Sequence, residues 1–282
     1  MRTVLIFGLA LAAGALAAGC SGDDGAGDDE ERLEVVAAFY PLAFAAERTA
    51  PDADVHNLTP PGVEPHDLEL APRDVARIRG ADVVLYLGGG FQPALEDAAG
   101  GADGTALDLL AELGTAGEDV HVWLDPERYG EIVRRVAREL TGDERSARLL
   151  LHRLDELDGI YQLGLEACER REIVVSHAAY GFLAEAYGLE EIALARTPDA
   201  EATPRDLERI ASLVRERGIT TIFVEPLASP EEAETIAREP GAEVAVLDPV
   251  AGLTEEQEAA GEDYFSVMLA NLEALRAALE CR

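Results

Sequence analysis

The chain has 282 residues, 48% of them hydrophobic, which suits one large globular domain or two ordinary ones and excludes a disordered chain. Its 56 acidic residues face 23 basic ones, all of them arginine, for a formal net charge of −33. Such an acidic envelope excludes electrostatic recognition of nucleic acid or of an anionic lipid surface, and it favours the approach of cations.

The first segment predicts export. Arg2 precedes an apolar run, Val4 to Ala13, that is too short to be an ordinary membrane span. Ala17-Ala18-Gly19-Cys20 resembles a lipobox, which would make residues 1–19 a signal peptide and Cys20 a lipidated first residue. Cleavage after Ala15-Leu16-Ala17 is the alternative and would release a soluble secreted or periplasmic protein. Residues 20–32 are Gly, Asp and Glu with almost no apolar side chains, the composition of a disordered acidic tether.

Beyond the tether, strand and helix patterns alternate. Strands are expected at 33–39, 54–58 and 82–87, with helices at 41–49 and 72–79. Thr59-Pro-Pro-Gly-Val-Glu-Pro65 is a stiff loop ahead of His66, and Gly88-Gly-Gly90 ends the third strand. A short apolar run, 120–124, reads as a strand carrying His121, and Pro126 opens a helix to Leu140. From Asp143 to about Arg170, the apolar residues Leu150, Leu154, Leu157, Tyr161, Leu165 and Cys168 recur at helical spacing. That pattern predicts one rigid linking helix of roughly 40 Å between an N-terminal lobe, 33–142, and a C-terminal lobe, 171–282. The second half repeats the alternation, with strands at 173–176, 192–194, 220–224 and 243–247 and helices at 180–187, 204–217, 230–238 and 262–279. The fold class is therefore α/β: two lobes with parallel sheets flanked by helices and joined by one long helix. In such sheets ligands bind beyond the carboxyl ends of strands, where His177, Glu225 and Asp248 fall.

Four motifs offer a metal donor: Pro65-His66-Asp67, His121-Val-Trp-Leu124, Ser176-His177 and Leu247-Asp248-Pro249. Taken singly, each has an ordinary explanation as a turn, core or capping residue. Together, three imidazoles and a carboxylate make a complete shell for tetrahedral zinc. Glu225 could orient a ligand imidazole from behind or cap its strand. His56, inside a strand pattern, and His152, inside the long helix, read as bystanders. Cys168 and Cys281 could pair in an oxidising compartment or remain two buried thiols.

The run from Pro60 to Pro72 is similar to the first-ligand motif of the metal receptors of ABC importers, the ZnuA and TroA family. The resemblance continues through Ala81-Asp-Val-Val-Leu-Tyr-Leu-Gly88, His121-Val-Trp-Leu-Asp-Pro126 and Ser176-His-Ala-Ala-Tyr-Gly-Phe182. It runs on through Ile222-Phe-Val-Glu-Pro226, Leu247-Asp-Pro-Val250 and Gly261-Glu-Asp-Tyr264. It implies a cation in the cleft between two lobes, ligated by His66, His121, His177 and Asp248, and a membrane permease as partner for a monomeric binding protein. Manganese-binding relatives usually carry glutamate where this chain has His177, so the donor set favours Zn(II) over Mn(II). Two features depart from the zinc members: residues 88–118 lack histidine, and Cys281 has only Cys168 as an available partner. The competing readings are a manganese or iron receptor of the same architecture, an exported zinc hydrolase using Glu225 as base, and a surface adhesin.

Overall fold

The computed structural model describes residues 32–115, 119–196, 203–227 and 242–282. The expected signal peptide, Cys20, nearly all of the tether and the helix expected at 230–238 lie outside the described residues.

Eight described strands form two sheets of four. The first has the order β2 (Asp54–Asn57), β1 (Glu34–Ala37), β3 (Val83–Tyr86), β4 (Thr105–Asp108). The second has the order β6 (Glu190–Ala195), β5 (Glu172–His177), β7 (Thr221–Val224), β8 (Glu243–Val246). All pairings are parallel, so the second sheet repeats the strand order of the first. The inner strands β1, β3, β5 and β7 carry Val, Ile, Leu and Phe, as parallel strands covered on both faces require. In the first half the helices are α1 (Tyr40–Thr49), α2 (Pro72–Gly80), α3 (Pro93–Ala99), α4 (Leu109–Leu113) and α5 (Pro126–Thr141). Then follow α6 (Arg148–Leu165), α7 (Gly181–Tyr187), α8 (Pro204–Arg217), α9 (Glu255–Ala260) and α10 (Tyr264–Ala278).

Two expectations need correction. The linking helix is 18 residues, about 27 Å, rather than 28. A separate 3₁₀ turn, Glu144–Ala147, precedes it because the Asp143 carboxylate accepts the Arg145 N–H and caps that turn instead. At the far end the Arg171 guanidinium takes the carbonyls of Leu165 (2.9 Å) and Glu166 (2.8 Å), closing the helix. Cys168 then leaves the helix for an antiparallel bridge with Cys281, to which it is disulfide-bonded. Second, His121 lies on no strand. The Asp119 carboxylate takes its backbone N–H, and a 3₁₀ turn over Val122–Leu124 follows.

One buried cluster spans both halves. It runs from Val35, Leu42 and Trp123 through Leu154 and Tyr161 of α6 to Val175, Phe223 and Leu272. Buried tyrosines stitch the layers by donating to backbone carbonyls: Tyr161 to Met268, Tyr180 to Leu247, and Tyr264 to Trp123, each at 2.6 Å. The Trp123 indole N–H reaches Pro249 O at 2.7 Å, and Gly62 N–H reaches Leu253 O at 2.8 Å. These last two bonds join the turn after His121 and the loop before His66 to the segment that follows Asp248.

Candidate metal centre

The three histidines singled out in the sequence converge. Ligating nitrogens of His66, His121 and His177 all lie within 4.8 Å of one another, and His121 and His177 are buried.

His66 sits in a one-turn 3₁₀ helix, Pro65–Asp67, entered through Gly62 at φ +79°. Only glycine adopts that backbone without penalty. The Glu64 carboxylate accepts the His66 N–H at 3.4 Å, and the buried Gln92 amide donates to Pro65 O at 3.0 Å. The Phe91 ring closes one side in an edge-to-face contact, with ring centroids 4.6 Å apart. His121 is held by Asp119, whose Oδ1 lies 2.9 Å from the backbone nitrogen and 2.8 Å from Nδ1 of the ring. His177 ends the central strand β5, and its Nδ1 is hydrogen-bonded to Glu225 Oε1, which also accepts from Ser176 Oγ at 2.8 Å.

These carboxylates decide the tautomers. A carboxylate facing Nδ1 holds the ring proton there and leaves the Nε2 lone pair bare. The bare Nε2 atoms of His121 and His177 face each other at 3.4 Å. Two lone pairs cannot hydrogen-bond; a cation between them removes the conflict. With Zn–N bonds of about 2.05 Å in a tetrahedron, two donor nitrogens stand roughly 3.3 Å apart, which matches.

The fourth expected donor is near but outside this group. Asp248 follows β8 and is buried, yet its Oδ1 accepts the Val250 N–H and its Oδ2 the Gln257 amide, both at 2.8 Å. Asn271 fixes the Asp248 backbone from both sides, at 2.8 Å and 2.7 Å. Val250 is buried with φ +54°, a left-handed conformation costing a β-branched residue about 1–3 kcal/mol, and this is the residue that aims an N–H at Asp248.

Negative charge accumulates here without enough partners. Burial pushes the Glu64 carboxyl up to about 7, against its hydrogen bond from His66 and with repulsion from Glu225 adding to the rise. Burial also raises Asp248, opposed by Gln257 and Val250 and helped by Glu225. Burial lowers the His121 imidazole, opposed by Asp119, so the ring stays neutral and able to ligate. Glu225 Oε2 is buried with no hydrogen-bond partner.

Asp119 was not legible as a functional residue. The available signal was its spacing: a carboxylate two residues before a histidine can bond both its backbone and its ring. His56 and His152 stand apart from the group. His56 meets the Arg77 guanidinium at 2.7 Å, and exposed His152 lies 3.6 Å from Glu156.

The model of the ZnuA family, described as zinc-uptake complex component A, periplasmic, matches residues 35–278. The zinc-binding lipoprotein AdcA of Streptococcus pneumoniae strain R6 is 32% identical over 277 residues, covering 87% of this chain and 55% of that protein. This chain thus spans about half the length of the streptococcal AdcA relatives it matches. The high-affinity zinc uptake system protein ZnuA of Bacillus subtilis is 30% identical over 298 residues, covering 93% of each chain. Among solved structures, the Zn(II)-bound ZnuA-like domain of S. pneumoniae AdcA superposes with a TM-score of 0.76 at 32% identity. That match covers 88% of this chain and 99% of the domain. With the family model matching residues 35–278, the chain belongs to the ZnuA family of zinc-uptake components.

Proposed function

We propose that this protein binds one Zn(II) ion between its two sheets and delivers it to the membrane permease of an ABC importer. His66, His121 and His177 supply the nitrogen donors. Asp248 supplies the fourth when the cation draws its Oδ2 from the Gln257 amide. The observation that carries this reading is the 3.4 Å approach of two Nε2 atoms whose Nδ1 atoms are both held by carboxylates. Three neutral imidazoles and one carboxylate leave the loaded site about +1, and Glu225, Asp119 and Glu64 surround it with opposite charge. Imidazole nitrogens favour zinc over manganese.

The protein is a receptor rather than an enzyme in this reading, because a fourth donor closes the position that a catalytic zinc leaves to water. It works outside the membrane as a monomer, held there through lipid on Cys20. No helix among the described residues is long and apolar enough to cross a membrane. The name of the pneumococcal relative, a lipoprotein, supports the anchor.

Competition of wild type and His177→Ala against a chromophoric zinc chelator tests the site. Wild type should hold zinc against the chelator and the variant should not; equal affinities would remove His177 from the shell. Retention of manganese against equimolar zinc would overturn the choice of metal.

A further inference from the structure

Gly181 opens α7, four residues after His177, with an ordinary negative-φ backbone. Its helix gains nothing from glycine, since alanine is the better helix former. Glycine supplies room instead. A Cβ on residue 181 would stand 2.5 Å from Asp119 Oδ2, closer than real contacts allow, and 3.6 Å from Glu191 Oε2. Asp119 is the carboxylate whose other oxygen bonds both the backbone and the ring of His121. One small side chain therefore touches a histidine-bearing turn of the first half and the backbone that leaves the histidine-bearing strand of the second.

The Gly181 side of this contact is firmly held. The preceding Tyr180 donates its N–H to Glu191 Oε1 at 2.8 Å and its hydroxyl to Leu247 O at 2.6 Å. Ala184 N–H closes the first helical turn on Tyr180 O at 2.7 Å. A methyl group at 181 cannot push this backbone away without breaking those bonds, so it must displace the Asp119 carboxylate. Displacement frees the His121 ring to turn or to change tautomer, and its Nε2 lone pair no longer meets that of His177.

We infer that Gly181 is a positioning residue for the metal site: by leaving space for Asp119 across the junction of the two halves, it couples the orientation of His121 to the segment that carries His177. This rests on the zinc-binding reading above and extends it to a residue with no donor atom.

A double-mutant cycle tests the coupling. Zinc affinity is measured by chelator competition for wild type, Gly181→Ala, Asp119→Ala and the double variant. The Co(II) visible spectrum reports the donor set, and the metal-free melting temperature reports the fold. Asp119→Ala should weaken zinc by about 10–100-fold, the usual effect of removing a carboxylate behind a ligand histidine. Gly181→Ala should weaken zinc at least about fivefold in the wild-type background and less than about twofold beside Asp119→Ala, because the two changes act on one contact. Its metal-free melting temperature should fall by no more than that of Asp119→Ala, since both changes release the same two hydrogen bonds to His121. An equal loss in both backgrounds, or none in the wild type, would overturn the inference while leaving the zinc site intact. Wild type that fails to bind zinc would overturn the reading of the site and this inference with it. Should Gly181→Ala fail to fold, recovery of folding in the double variant supports the same clash, and its failure refutes it.

Discussion

Replacing Glu225 with glutamine separates charge from shape at the metal site. The glutamine oxygen can still accept from His177 Nδ1 and Ser176 Oγ, so the His177 tautomer survives. The new amide nitrogen falls where Oε2 now lies buried and unpartnered. What disappears is one negative charge behind a ligand imidazole. The expected loss in zinc affinity is about tenfold, the lower end for such partners, or about 1.4 kcal/mol. Glu225→Ala, which removes the hydrogen bond as well, should approach a hundredfold. The metal-free protein should respond in the opposite sense. Glu225 now raises the carboxyl groups of Glu64 and Asp248, so removing its charge relieves repulsion in the empty cleft. Glu225→Gln should therefore be at least as stable as wild type without metal and gain about 1.4 kcal/mol less from saturating zinc. Urea unfolding with chelator, and again at fixed free zinc, reads both numbers. A Glu225→Gln protein that binds zinc within twofold of wild type would refute the reasoning.

Three further outcomes follow from the same structure. Replacing Cys168 and Cys281 by serine opens a link across 113 residues and should cost about 4–5 kcal/mol in urea unfolding, with zinc affinity preserved because the bond lies outside the histidine group. Lowering pH should destabilise the metal-free Glu64→Gln protein, in which the opposite contribution of a carboxyl raised to about 7 is removed: His121 is depressed by burial, so between its unfolded value near 6.5 and its lower folded value the unfolded chain binds more protons, and stability falls as pH drops through that window. Urea midpoints at pH 7.5, 6.5 and 5.5 check this, and His121→Ala should flatten the profile. Sodium chloride should raise the melting temperature, since 56 acidic residues against 23 arginines repel one another, and screening shortens from about 8 Å at 0.15 M to about 3 Å at 1 M. A melting temperature that falls with salt would show that exposed ion pairs such as Arg217–Glu190 outweigh that repulsion.

The parts of this protein that were legible in its amino-acid order are those whose chemistry is local. Strand and helix alternation places β1, β3, β5 and β7, because inner parallel strands must be apolar on both faces. Proline and glycine mark where α5 begins and α8 ends. His66, His121 and His177 each stand in a short motif, so their separate positions could be read directly. What tertiary structure alone decided is how distant groups complete one another. The linking helix stops early because Arg171 takes its last carbonyls and Cys281 draws Cys168 aside. Asp248 is satisfied by Gln257 and by a strained Val250, and neither neighbour announces that role in the chain order. Asp119 and Gly181 meet although 62 positions separate them in the numbering. Periodicity and propensity act over a few residues, whereas the geometry of a cation site depends on where two independently formed sheets bring their ends together.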